Sequence, residues 1–276
     1  MPHDFNNSPT ADIILRSGGQ KAVAEFRAHR AILSIASPVF ETMFSLPQPG
    51  AEKSTPVCDL SEDANTVEAL LRLIYPVEGP NLRSLDELAP VLDAAMKYEI
   101  AVALSRLRKM LVQPDLLEKD PLQAYAIATR WGFEEQMKTA SGYTLGLDII
   151  NSPTADTLNA ISTANYRRLL IFHLERAQGA QRLLDDVAPR NPVCSACRAY
   201  VEKWHEEFKR KARDELSVRP TSKIVCSLDF LAPIVDAIEG GECTMNSCRR
   251  GGRKLETYRF YLEVLRTRID MLPNTI

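Results

Sequence analysis

The run Phe26-Arg27-Ala28-His29-Arg30-Ala31-Ile32-Leu33-Ser34-Ile35-Ala36-Ser37-Pro38-Val39-Phe40-Glu41-Thr42-Met43-Phe44 leaves few folds open to this chain. Phe26 and Ala28 alternate with Arg27, the period of a half-buried strand. Ile32, Leu33 and Ala36 then recur at helical spacing. Ser37-Pro38 restarts the helix: the hydroxyl can cap it, and proline fits the first helical position, where no N–H is needed. Val39, Phe40, Met43 and Phe44 give the second helix one apolar face. A strand end running into two short helices is a structural signature, with no catalytic device in it.

Elements on either side extend the pattern. Ala11 to Leu15 reads as a strand, Ser17-Gly18-Gly19-Gln20 as a turn, and Val23 to Ala28 as the returning strand. The turn formers Pro47-Gln48-Pro49-Gly50 follow the helix pair. A third strand, Thr55 to Leu60, adds to the hairpin, and Pro56 confines it to an edge or a strand start. Asp63 opens a helix that buries Val67, Leu70, Leu71 and Ile74 and is ended by Pro76. Two more helices fit 85–98 and 101–112. The expected fold is α+β: a flexible N-terminus at 1–10, a small sheet flanked by helices over 11–113, and a mostly helical domain over 114–276.

The order strand, strand, helix pair, strand, helices over about 10–112 resembles the BTB/POZ domain, a fold used for protein–protein association. The Phe44-Ser45-Leu46-Pro47-Gln48-Pro49 loop and the Leu70-Leu71-Arg72-Leu73-Ile74-Tyr75-Pro76 helix end are similar to the BTB proteins numerous in mushroom-type fungi. The resemblance implies a non-enzymatic interaction module whose partner is another protein, with His29, Phe40, Met43 and Phe44 in the core or at the interface. It implies a homodimer, with Asp12 and Arg30 at the positions of a shared charged pocket. Such a pair gives specificity more than net stability. The other reading of Arg30 is an exposed side chain at a helix start. Only about ten residues precede Asp12, so the helix and strand that longer BTB forms exchange between partners are expected to be absent or reduced. An alternative implied role is that of substrate adaptor for a cullin-3 ubiquitin ligase. There the family uses an apolar–x–Glu motif. Gly50-Ala51-Glu52 stands at that place: Glu52 fits, but glycine cannot fill an apolar pocket.

Beyond Pro114 no strand pattern appears. Helices are expected from Asp120-Pro121 to Gly132, over Phe133 to Leu147, after Ser152-Pro153, over Tyr166 to Leu184, and over Arg198 to Leu216. The first two resemble the start of the BACK region that follows BTB domains elsewhere. In the last helix, 255–272, Leu255, Tyr258, Leu262, Leu265, Ile269 and Leu272 form a seam. It is short for an independent coiled coil, so packing within the helical domain is the first reading and a dimerisation zipper the second.

Two cysteine pairs occupy the region 194–248. Cys194-Ser195-Ala196-Cys197 and Cys243 to Cys248 are C-x2-C and C-x4-C, spacings that suit tetrahedral zinc. Buried free thiols and a reversible disulfide are the other readings, and a thiol-based enzyme is a weaker one. Cys58 and Cys226 sit in apolar surroundings and read as core residues. His29 and His173 read as packed, and His205 as a replacement metal ligand near Cys197 or a packed residue. The mixed charges from Lys203 to Glu215 read as a solvated helix face. A nuclear-import or nucleic-acid patch, as in a transcription regulator, is the weaker reading.

Composition limits the classes. The chain has 276 residues, 45% hydrophobic and 25% charged, with a net charge of −2, so no overall field draws it to nucleic acid or anionic lipid. No apolar run approaches a membrane span, and Met1 to Ser8 has no signal-peptide character. An intracellular location, in cytoplasm or nucleus, with reduced thiols is expected.

Overall fold

In the computed structural model, residues 5, 8–18, 23–46, 55–189, 195–237 and 252–276 are described, with backbone alone for 195–200 and 252–257. The chain divides into two compact units, residues 1–127 and 128–276.

The first unit starts with β1 (Ile13–Arg16) and β2 (Glu25–Ala28), an antiparallel pair in the register Ile13↔Ala28 to Arg16↔Glu25. Ile13, Leu15, Phe26 and Ala28 face inward, while Glu25 and Arg27 are exposed, the period-2 pattern of a one-sided sheet. Gly18 is required where the chain leaves β1, because a Cβ there would lie 2.5 Å from the Leu60 carbonyl oxygen.

Two short helices follow, α1 (Arg30–Ala36) and α2 (Pro38–Ser45). Ser37 Oγ accepts from Phe40 N at 3.0 Å, and Pro38 begins the second helix, so the expected restart is the one formed. β3 (Val57–Asp59) pairs with β1 in parallel, giving the order β2-β1-β3 and leaving β3 at an edge of the described sheet. That position accommodates Pro56. The helices α3 (Ala64–Ile74), α4 (Leu85–Lys97), α5 (Ala101–Leu111) and α6 (Pro114–Leu117) complete the layer, and α7 (Pro121–Arg130) runs from this unit into the next. Asp63 caps α3 by accepting from Thr66 N at 2.8 Å.

The second unit continues with α8 (Glu134–Thr144), α9 (Ala155–Ala160), α10 (Thr163–Asp186), α11 (Ser195–Val218), α12 (Ser222–Val225), α13 (Leu228–Asp236) and α14 (Gly252–Asp270). Gly132, at φ +66°, separates α7 from α8. The helix expected after Ser152-Pro153 is α9, which starts at Ala155 because Thr154 is the residue that caps it. α12 and α13 were not expected at all.

The core of this unit is aromatic. Trp204 and Phe208 of α11 pack against Tyr258 and Tyr261 of α14, with Leu184, Leu216, Leu265 and Ile269 around them. Tyr258, Leu262, Leu265 and Ile269 of the expected seam are all buried within this unit. These four positions serve internal packing; Leu272 is half-buried, and the Leu255 side chain lies outside the described residues.

Candidate partner-binding site

Asp12, His29, Arg30, Phe40, Met43 and Phe44 come together around the junction of β2 and α1 and the end of α2. His29 is the residue before α1, and its side chain makes no cap bond to that helix. Its backbone N–H instead donates to the Tyr75 hydroxyl at 2.8 Å. The ring joins Tyr75 through Nδ1 at 3.1 Å and Thr10 through Nε2 at 2.9 Å. His29 thus ties the start of α1 to the end of α3.

Asp12 supplies the cap that His29 does not. Its Oδ1 accepts from Arg30 N at 2.8 Å, so an exposed carboxylate sits on the first open N–H of α1. Asp12 and Arg30 do meet, but through carboxylate and backbone. The Arg30 guanidinium turns to α2, where it donates to the Phe44 carbonyl at 2.7 Å and lies 5.2 Å from the Phe44 ring centroid. A cation at the carbonyl end of a helix complements its dipole.

Phe40 is fully buried, stacked on Tyr98 at 4.8 Å and on Phe44 at 5.7 Å. Met43 and Phe44 are half-buried and, with Ile13, Arg30, Pro56, Val57, Cys58 and Asp59, line a pocket of about 230 Å³ beside β3, the outer strand of the described sheet. Cys58 was expected in the core. It is half-buried because the edge strand leaves one side of it open to this pocket, where its Sγ lies 3.2 Å from Met43 Sδ. Burial, and then the charge of Asp59, raises the thiol pKa, so Cys58 is a poor nucleophile. Sequence reasoning missed the pocket because residues from four elements, β1, α1, α2 and β3, make it. The alternation of Val57, Cys58 and Asp59 was the only available signal.

Neighbouring charges are held locally. Burial alone would raise the Glu62 pKa, but hydrogen bonds from Lys97 at 2.8 Å and the Tyr98 hydroxyl at 2.6 Å hold it low. A second groove of about 380 Å³ lies between α3 and α4. Its carboxylates are already engaged: Asp63 with Thr66 N, Glu68 with Arg72, and Asp86 with Gln123.

Glu52, Cys194, Cys243 and Cys248 lie outside the described residues, and Cys197 is placed only as a backbone position in α11. Among the described residues no three His, Cys, Asp or Glu side chains converge on a metal position. His205 is half-buried. Its Nε2 lies 3.2 Å from the Tyr261 hydroxyl, inside the aromatic core. His173 is packed as expected, and Cys226 is buried with its thiol pushed up to about 12 by burial. The charged face of α11 is a run of local ion pairs, including Lys209–Glu206 at 2.7 Å and Arg210–Glu207 at 2.7 Å. Among the described residues no helix is long and apolar enough to cross a membrane.

Residues 3–115 match the family model of the BTB/POZ domain. Two mouse proteins are similar over part of this region. TD and POZ domain-containing protein 3 is 34% identical over 94 residues, which is 34% of this chain and 24% of that protein. TD and POZ domain-containing protein 1 is 35% identical over 94 residues, with the same coverage. The chain spans about a quarter of the length of these curated relatives.

Proposed function

With residues 3–115 a BTB/POZ domain, a protein-interaction module, we propose that this protein acts without catalysis by holding another polypeptide at the face made by α1, α2 and β3. The observation that carries the reading is the pocket of about 230 Å³ lined by Arg30, Met43, Phe44 and Cys58 beside β3, the outer strand of the described sheet. An outer strand offers main-chain hydrogen bonds, and an adjacent apolar pocket offers side-chain selection. An intracellular setting goes with this reading, since Cys58 and Cys226 are free thiols, as in a reducing compartment.

Affinity capture with the full chain tests it, comparing wild type with Met43→Glu and Val57→Glu. Both positions are half-buried or exposed, so the folded state tolerates the charge better than the docked state does. Loss of the same captured proteins in both variants supports the reading. Unchanged capture in both, with the fold intact by circular dichroism, overturns it.

A homodimer is the finer reading, favoured by Ile35 on α1, which is 89% exposed. Light scattering of Ile35→Asp decides it: the wild type is expected to be a dimer and the variant a monomer, with stability changed by no more than about 0.5 kcal/mol. A cullin-3 adaptor role has only the Glu52 match behind it. Failure of the chain to bind cullin-3 at micromolar concentration removes it.

A further inference from the structure

Ser152-Pro153 has the sequence of a helix start, but Thr154 takes that task. Its Oγ1 accepts from Thr157 N at 3.2 Å, and α9 begins at Ala155. The Ser152 hydroxyl is left without a hydrogen bond among the described residues. The segment around it buries almost nothing. Ile149 and Ile161 are buried, and between them every residue is exposed except Pro153 and Thr157, which are half-buried. α9 itself has no buried residue. Residues 150–160 are thus an outward excursion held at its ends by two buried isoleucines. A segment with so few apolar contacts opens locally at little cost in free energy.

A hydroxyl residue followed by proline is the pair that proline-directed kinases accept. Proline has no N–H, so a kinase pocket without an acceptor at that place admits proline and rejects residues whose N–H it would leave bare. The chain has four such pairs, at Ser8, Ser37, Thr55 and Ser152. Ser8 is buried. Ser37 is fully buried, caps α2 and donates to the Tyr98 carbonyl. Thr55 is half-buried, and the Pro56 carbonyl is engaged in the sheet by Ile14 N at 2.9 Å. Ser152 alone of the four is exposed, with exposed residues on both sides. We propose that Ser152 is a phosphoacceptor for a proline-directed serine/threonine kinase, and that the phosphate loosens the turn in which it sits.

In the transfer, Ser152 Oγ attacks the γ-phosphorus of ATP held by the kinase. The new O–P bond forms as the bond from that phosphorus to the β–γ bridging oxygen breaks. ADP leaves, and the hydroxyl proton passes to the kinase's catalytic carboxylate. The product carries a charge of about −1.5 to −2 at neutral pH. That charge arrives beside an anion already in place. The Asp148 carboxylate holds the turn, accepting from Ile150 N at 3.1 Å, Asn151 N at 3.0 Å and Asn151 Nδ2 at 2.8 Å. The Asp148 carbonyl accepts from Ser152 N at 2.9 Å. Asp156 follows in the first turn of α9. Arg219, a cation that acts on Asp148, is already paired with Glu215 at 2.6 Å. The phosphate thus meets carboxylates while this guanidinium is engaged, and like-charge repulsion disfavours the closed turn. The Tyr166 hydroxyl, which donates to the Ile149 carbonyl at 2.6 Å, ties the same turn to α10. Loosening the turn weakens that tie.

Incubation of the full chain with magnesium-ATP and a proline-directed kinase, once a cyclin-dependent and once a mitogen-activated enzyme, tests the site. Peptide mapping by mass spectrometry is expected to find phosphate on Ser152. Ser152→Ala should lose most of the added phosphate from the intact mass, and Pro153→Ala should be modified about tenfold more slowly or less. Absence of phosphate on Ser152 with both kinases overturns the proposal. So does an equal rate for Pro153→Ala, or phosphate found only on Ser8, Ser37 or Thr55. Hydrogen exchange of the phosphorylated and unmodified chains reads the consequence. The amides of Ile150, Asn151 and Ser152 are expected to exchange about fivefold faster or more with the phosphate in place, while those of 169–184 in α10 stay unchanged. Unchanged or slower exchange at the turn overturns the loosening, and so does faster exchange throughout α10, which would mark unfolding of the whole unit.

Discussion

Asp12 and Arg176 each satisfy backbone groups that a helix leaves open at its end, and neither does so from its own helix. Asp12 reaches Arg30 N from just before β1, at a place fixed by the Ile13↔Ala28 register. The helix needs an oxygen acceptor there more than a charge. Asp12→Ala is therefore expected to lower the stability of the first unit by about 1 kcal/mol, while Asp12→Asn loses only a few tenths. Urea midpoints of the two variants check this, and an equal loss in both would make the charge, rather than the cap, the important term. Arg176 is buried and donates to four carbonyls: those of Pro220, Ile269, Leu272 and Pro273. Burial lowers its pKa and the charge of Asp270 partly opposes that. Its fork covers several acceptors at once, which an ammonium on a flexible stem cannot. Arg176→Met is expected to cost about 3 kcal/mol or more by leaving buried carbonyls bare. Arg176→Lys should recover less than half of that, read as melting temperatures of the full chain.

The α2 helix separates packing from binding along one apolar face. Phe40 is 1% exposed and sandwiched between Tyr98 and Phe44, whereas Phe44 also lines the pocket. Phe40→Ala is expected to destabilise the first unit by about 3–5 kcal/mol. Phe44→Ala, at a half-buried position, should cost under half as much and still weaken partner capture; denaturant curves and the capture experiment together check the split. Elements with local signals were legible in the sequence. Ser37-Pro38 and Asp63 set helix starts by bonds within one turn, and the spacing of Tyr258, Leu262, Leu265 and Ile269 marked the buried side of α14. α12 and α13 were not legible, because Pro220, Pro233 and a short apolar run give neither a helical nor a strand period. The pocket and the role of Asp12 depend on strand register and on contacts between elements remote in sequence, which no local pattern encodes.

For the whole molecule, acid is expected to act on the second unit. His173 is buried there, and Thr144 Oγ gives its proton to the Ser141 carbonyl and so accepts from His173 Nε2. Nδ1 then faces the interior without a partner. Burial, with the nearby Arg176 charge, pushes the His173 pKa from 6.5 down to about 4. His205 is also driven down to about 4, by burial first and then by Lys209, with Glu206 and Asp185 opposing. The unfolded chain titrates near 6.5, so between 6.5 and 4 it binds more protons than the folded unit. The stability that neutral histidine supports is whole above pH 6.5 and is lost as pH falls towards 4. For His173 this amounts to at most about 3 kcal/mol. Both tryptophans, Trp131 and Trp204, lie in residues 128–276, so tryptophan fluorescence reports that unit alone. Urea midpoints followed by that signal should fall steadily from pH 7 to pH 4.5. His173→Gln keeps a donor for Thr144 but cannot titrate, so its midpoint should fall less steeply over the same range. Parallel pH profiles for wild type and variant would mean that His173 already carries its proton in the folded state.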